Sequence, residues 1–270
     1  MELTTYYNAN IYGSGTRTVV LGHGFGTTQS AWKEQVKALT ELGVRVVVFD
    51  YAGSSENTGK FFSPERHATL FGFTEDLIAL MRQMEITGAT FVGHSVSGII
   101  GLLAANGAPE IFDSLVMIAS AARYIDDPDA GYVGGYSKEL VDAVSAAMQQ
   151  DYVAWAHGFA PIAMGNPDRP HLAQEFSRSL LAVEPAIAAA LLPTILRIDH
   201  RGDALRSRLK PLVLQTAADP AVPFTAAGWL AQATGASDLK IIDAEGHFPH
   251  LSAPAQVNEY LVDFIINLNR

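Results

Sequence analysis

The chain of 270 residues contains no cysteine. Disulfides, thiolate metal ligands and a cysteine nucleophile are excluded, while the redox compartment stays open. Charge is sparse too: 17% of residues are charged, below the quarter usual in globular domains, and the net charge is −10. A negative chain without a Lys/Arg cluster repels phosphate backbones, so nucleic acid is not an expected partner. Long apolar runs are missing. A stretch such as Ala186–Leu192 falls far short of the ~20 residues of a membrane span, and no membrane partner is expected. The first residues, Met1-Glu2-Leu3-Thr4-Thr5-Tyr6-Tyr7, carry neither the basic region nor the apolar run of a signal peptide. A cytoplasmic location is the expectation.

Cofactor motifs are equally scarce. There is no H-E-x-x-H string, and His67, His157, His171 and His200 are scattered, so no metal is expected. Neither G-x-G-x-x-G nor a P-loop occurs, which argues against nucleotide cofactors. Asp126-Asp127-Pro128-Asp129 is an acidic turn without the remaining ligands of a calcium loop.

What the chain has is apolar residues, 49% of the total, enough for a sizeable core in one large domain or two small ones. Short β-branched runs alternate with helical patterns. Thr18–Leu21, Val44–Phe49, Thr90–Val92, Leu115–Ile118, Leu212–Gln215 and Leu239–Ile242 read as strands. Ser30–Leu42, Phe73–Met84, Ser97–Asn106, Thr225–Thr234 and Ala255–Leu268 read as helices. Nearly continuous apolar strands separated by helices predict an α/β fold, a parallel sheet covered on both faces. Thr4–Ile11 is expected to add an antiparallel edge hairpin.

Residues 123–205 break the alternation. They contain no convincing strand but four helical stretches, Ser137–Gln150, Tyr152–Phe159, His171–Leu181 and Pro185–Ile198, jointed at glycines and prolines that include Pro161. Ligands of such sheets bind beyond the carboxyl ends of the strands, where an insertion would form a roof. The expected division is a core of residues 1–122 and 206–270 with a helical cap between. A separate helical domain without a role in the site is the alternative.

A catalytic serine needs a base, an acid to orient the base, and donors for the developing oxyanion. Phe91–Gly98 reads FVGHSVSG, a short strand running into a tight turn and then a helix, which would present Ser95 as a nucleophile. The fifth position of the G-x-S-x-G pattern is Ser97, so the match is to its looser form. Asp219 follows the strand Leu212–Gln215 and is the candidate acid; Asp203 and Asp243 are its rivals. His247 follows the next strand, just after Gly246, and is the candidate base, with His250 as its rival. Two backbone amides must converge on the oxyanion. Val96, directly after the serine, supplies one, and Phe25 in the loop Gly22-His23-Gly24-Phe25-Gly26 is the candidate for the other. His23 and His94, which flank these turns, read as structural hydrogen-bonders.

The inserted segment is rich in large apolar side chains, among them Tyr124, Tyr136, Val144, Met148, Trp155, Phe159, Phe176, Leu180, Leu192 and Leu196. One face of it would line a mainly apolar cavity. The expected ligand is small and hydrophobic with a carbonyl centre, an ester or lactone.

Five stretches, His23–Lys33, Phe91–Ala104, Gly158–Ala163, Gln174–Leu180 and Glu245–Pro254, carry a resemblance that spans most of the chain. The chain resembles the α/β-hydrolase family that contains the plant strigolactone and karrikin receptors and the bacterial RsbQ-type stress regulators. Phe49–Ser55, Asn166–Pro170 and Asp199–Leu205 lean toward the bacterial branch. The resemblance implies an α/β-hydrolase fold with a four-helix cap inserted after the sixth strand, and a triad of Ser95, Asp219 and His247. It also implies an oxyanion hole from Phe25 and Val96 and a hydrophobic pocket touched by Phe25, Tyr124, Val144, Trp155, Phe159, Phe176 and Leu196. Phe248, beside the histidine and the eighth expected substrate-binding residue, stands where the plant receptors typically have leucine. Val144 and Leu196 replace bulkier plant residues, so ligand preference does not carry over. Family members that hydrolyse slowly act as sensors, so the resemblance also implies a second role, a regulatory protein whose cap docks a signalling partner. A cofactor-free lyase or perhydrolase on the same triad is a third, because function belongs to the site and not to the fold.

Overall fold

The computed structural model describes residues 2–268. Among them, seven strands form one sheet: β1 (Asn10–Tyr12), β2 (Thr18–Gly22), β3 (Arg45–Val48), β4 (Ala89–His94), β5 (Phe112–Ile118), β6 (Leu212–Ala218) and β7 (Asp238–Glu245). Their order is β1-β3-β2-β4-β5-β6-β7, with β1 antiparallel to β3 and every other pair parallel. The longer helices are α1 (Lys33–Glu41), α2 (Leu70–Gln83), α3 (Val96–Gly107), α4 (Lys138–Gln150), α5 (Tyr152–Met164), α6 (Pro170–Leu181), α7 (Pro185–Leu196), α8 (Phe224–Thr234) and α9 (Pro254–Asn267).

Alternation along the strands assigns side chains to two faces. Val20, Val47, Phe91, Leu115 and Met117 join one core with Leu77 and Leu80 of α2, Ile99 and Leu102 of α3 and Leu230 of α8. Val19, Leu21, Val46, Val48, Val92, Val116 and Ile118 join the other with Leu39 of α1 and Val257, Leu261 and Ile265 of α9. Each such fully buried aliphatic side chain contributes about 1.5–3 kcal/mol. Burial on both faces explains why β2–β6 read as nearly unbroken apolar runs.

The N-terminal expectation is corrected. Instead of a hairpin, Leu3–Tyr6 forms one helical turn and a single strand, β1, pairs with the distant β3. Between them Asn8 adopts a left-handed φ of 48° while its side-chain amide donates to Asp50 Oδ2 at 2.8 Å. That tertiary bond turns the chain and replaces the local strand partner a hairpin needs. With one strand there instead of two, the helical insertion follows the fifth strand, not the sixth.

The four helices α4–α7 lie between β5 and β6. Ser137 Oγ accepts from the Leu140 amide and Asp151 Oδ1 from the Ala154 amide, capping α4 and α5, while α6 and α7 each begin on a proline. Pro161 does not end α5 as expected; the helix runs on to Met164 and stops at Gly165 with φ 60°. The root of the insertion is tied by a short bridge between Arg123 and Asp199. Ion pairs of Arg201 with Asp127 at 2.7 Å and with Asp199 at 2.8 Å reinforce it. No single helix among the described residues is long and apolar enough to cross a membrane.

Candidate active site

The strand order reverses between β2 and β4, where successive crossovers leave in opposite directions and a crevice opens above the strand ends. The β2 and β4 ends meet there, with Gly22 paired to Gly93. The glycine loop after β2 and the serine turn after β4 are therefore neighbours by topology. Gly24 makes the approach possible: a Cβ there would sit 2.5 Å from His94 Nδ1.

Ser95 occupies φ 56°, ψ −126°, a conformation that non-glycine residues avoid. Its amide donates to Ile118 O at 2.8 Å and its carbonyl accepts from Ser120 Oγ at 2.8 Å, so β5 holds the turn on both sides. The side chain then projects toward His247, with Oγ 2.9 Å from Nε2. Tyr124 Oη lies 3.4 Å from the same oxygen, and burial raises the Tyr124 phenol above its ordinary range. Ser97, in place of the usual glycine, is buried and hydrogen-bonded to Tyr51 Oη at 2.7 Å.

Pairing of Ala218 with Glu245 at the ends of β6 and β7 sets Asp219 and His247 side by side. His247 Nδ1 lies 2.9 Å from Asp219 Oδ2 and 3.1 Å from Oδ1. The buried carboxylate also accepts from the Ala221 amide at 2.8 Å, the Val222 amide at 3.0 Å and Gln215 Nε2 at 3.1 Å. With Nδ1–H donated to the carboxylate, Nε2 is left free to accept the serine proton.

The rivals lie elsewhere. Asp203 pairs with His200 at 2.8 Å and with Arg206, and Asp243 is exposed on β7, its amide bonded to Gln256 Oε1 at 2.8 Å. His250 is fully buried among the rings of Trp32 and His94, and among the described residues neither of its ring nitrogens has a partner. Burial, with His247 nearby, pushes its pKa down to about 3. An imidazole that hard to protonate, and away from Ser95 Oγ, is no general base. His94 is also held neutral by burial, and its Nε2 donates to the His247 carbonyl at 2.7 Å. His23 donates Nδ1–H to Gly24 O and accepts the Tyr51 amide on Nε2, a structural role as expected.

Among the described residues the Phe25 and Val96 amides donate to no protein acceptor. Val96 opens α3, so its N–H lies at the positive end of that helix. Two free amides beside a hydrogen-bonded Ser–His–Asp array can hold an oxyanion.

A cavity above Ser95 and His247 is lined by Phe25, Tyr124, Val144, Phe159, Phe176, Leu196 and Phe248, seven of the eight expected pocket residues. Trp155 is the exception. Its ring stacks against Phe159 at 4.9 Å and 11°, and against Tyr152 at 5.9 Å, so it backs the lining without reaching it. One helical turn separates Trp155 from Phe159, and only Phe159 faces the cavity. Tyr136 and Leu192, named among the apolar residues of the insertion without being assigned to the pocket, also line it, and so do Ile195 and Ala221, which the sequence reading did not single out. Leu192 and Ile195 share a helical face with Leu196, a spacing that marks them in retrospect; Ala221 bears no such signal.

A sequence model of the Alpha/beta hydrolase family matches residues 19–260. The Karrikin insensitive 2 receptor IA of Petunia hybrida is 37% identical over 254 residues, covering 94% of this chain and 92% of the relative. Strigolactone esterase D14 of Arabidopsis thaliana is 37% identical over 255 residues, 94% of each chain. The solved structure of olei00960, a hydrolase from Oleispira antarctica, superposes with a TM-score of 0.94 at 28% identity, covering 98% of this chain and 97% of that one. The chain belongs to the α/β-hydrolase family, which also contains these karrikin and strigolactone proteins.

Proposed function

We propose that this hydrolase cleaves a small hydrophobic ester or lactone through Ser95, His247 and Asp219, beneath a cap formed by residues 123–205. The observation that carries the reading is the continuous hydrogen-bond array from Ser95 Oγ through His247 to the buried Asp219 carboxylate. Ser95 Oγ attacks the carbonyl carbon as its proton passes to His247 Nε2, and the Phe25 and Val96 amides hold the resulting oxyanion. His247 returns the proton to the leaving oxygen, and Asp219 stabilises the imidazolium meanwhile. Water deprotonated by His247 then releases the acid. In a lactone the leaving oxygen stays on the acyl chain, so one product carries both ends.

The substrate class follows from the cavity. Apart from Ser95 and His247, its walls are aromatic and aliphatic, with neutral His94 and the Tyr124 and Tyr136 hydroxyls as the polar exceptions. Ser95→Ala is expected to lower turnover of a p-nitrophenyl ester by at least about 10³-fold while the melting temperature holds. Unchanged turnover would overturn the assignment.

A second reading is favoured by one contact. The amide of His247 donates to Ala163 O of α5, so the cap and the base share a hydrogen bond. A cap bonded to the base in this way would be sensitive to the state of the site, which suits a sensor that docks a signalling partner. Slow turnover, a retained acyl adduct by intact mass and a ligand-dependent melting shift would mark the sensor; fast turnover without these marks the plain enzyme.

A further inference from the structure

Beside the catalytic cavity lies a second, more apolar chamber. The loop Gly24–Gly26, Leu70 and Phe73 of α2, Val96 and Ile100 of α3, and Leu191 of α7 are among its walls. Phe25 and Ile195 line both chambers. Phe25 packs against both the main core and the Phe176–Leu180–Phe248 cluster and is common to the walls of the two chambers.

Polar groups at this chamber's edge are already engaged. His23 is hydrogen-bonded through both nitrogens, Tyr51 Oη is bonded to Ser97, and Ser54 Oγ lies 3.4 Å from Thr58 Oγ1. Little is left to bind a polar ligand, so the matching occupant is hydrocarbon. Position decides which hydrocarbon. The leaving oxygen must take its proton from His247, so the alcohol side of an ester faces His247, in the catalytic cavity. The second chamber touches the Phe25 and Val96 segments but neither Ser95 nor His247.

From this arrangement we infer that the second chamber is an acyl subsite, receiving a hydrocarbon arm of the substrate acid that turns past Phe25. The inference rests on the ester-hydrolase reading and extends it: the substrate is an ester or lactone branched at its acyl carbon or carrying an alkyl chain there. Leu191 is then a determinant of specificity, because it lines the second chamber and not the first.

The test uses p-nitrophenyl esters from acetate to octanoate with the unaltered protein, Leu191→Phe and Leu191→Ala. Leu191→Phe narrows the chamber and is expected to lower the hexanoate-to-acetate ratio of kcat/KM about tenfold. Leu191→Ala widens it and shifts the optimum to longer acyl chains, which keeps the test alive if the phenylalanine variant fails to fold. Acetates of lengthening alcohols should keep the same selectivity in all three proteins. Identical acyl-chain profiles in the three proteins, or a shift confined to the alcohol series, would overturn the subsite. Methyl ketones of increasing length, which bind without turnover, separate this outcome from failure of the hydrolase reading itself. Their stabilisation of the unaltered protein should rise with chain length and stop rising in Leu191→Phe. If no ester is turned over, acetate included, the hydrolase reading fails and the ketone series still decides the chamber.

Discussion

Ser95 carries a cost that its neighbours absorb. At φ 56°, ψ −126° an L-residue is strained by about 1–3 kcal/mol, and the bonds to Ile118 and Ser120 hold it there. Two inactive variants separate the strain from the chemistry. Ser95→Ala removes the hydroxyl and keeps the Cβ; Ser95→Gly removes both. Glycine adopts this region readily, so Ser95→Gly should be the more stable of the two by about 1 kcal/mol in chemical denaturation. Equal stabilities would mean that the turn stores no such strain. The residue type and its place after a strand were legible in the sequence. The strain was not, because it comes from β5, some twenty residues away in the chain.

Among the elements, legibility followed the source of the ordering force. Strands buried on both faces announce themselves as apolar runs, as β2–β6 do; all six expected strands are present within a few residues, although β7, at the sheet edge, is buried only at Ile242. The N-terminal segment failed because its partner is β3 and its turn is held by Asp50, neither of which lies nearby in sequence. The extension of α5 past Pro161 was hidden for a related reason: the helix end is stabilised by the loop that carries His247. Gly246, at φ 87°, approaches so closely that a Cβ would strike the Met164 carbonyl oxygen. The His247 amide donates to Ala163 O at 2.8 Å, and Asn166 Nδ2 bridges Met164 O at 2.9 Å and Glu245 O at 3.0 Å. Arg169 adds bonds to Asn166 Oδ1 and, at 2.6 Å, to Ser252 O. This latch fixes the base to the inserted helices. Asn166→Gly, which tolerates the native φ of 58°, should therefore lower kcat about tenfold with little change in KM, and destabilise by about 1–2 kcal/mol. Steady-state kinetics with a melting curve checks this; an unaltered kcat at the lower melting temperature would reduce the latch to a structural fastening.

At the scale of the whole molecule, buried histidines link stability to pH. Burial lowers the pKa of His94 well below 6.5, and that of His250 to about 3; in both cases nearby histidines add to the effect. His23 is shifted the same way by burial, with Asp50 opposing. In the unfolded chain these imidazoles titrate near 6.5. Below that pH the unfolded state binds protons that the folded state refuses, so stability is complete above about 6.5 and declines as pH falls toward the folded values. His94 and His250 each contribute a slope of up to about 1.4 kcal/mol per pH unit in that window. Carboxylates with lowered pKa, such as Asp199 paired with Arg201, also lose stability on acidification, but only below about 4. The interval from pH 6.5 to 5 thus belongs to the histidines. His250→Phe keeps a ring against Trp32, removes no hydrogen bond made by the imidazole, and deletes one titrating group. Denaturation curves across that interval should show its stability falling less steeply than that of the unaltered protein, by about 1.4 kcal/mol per pH unit. Parallel pH profiles would mean that His250 is protonated in the fold, and that burial does not hold it neutral beside His94.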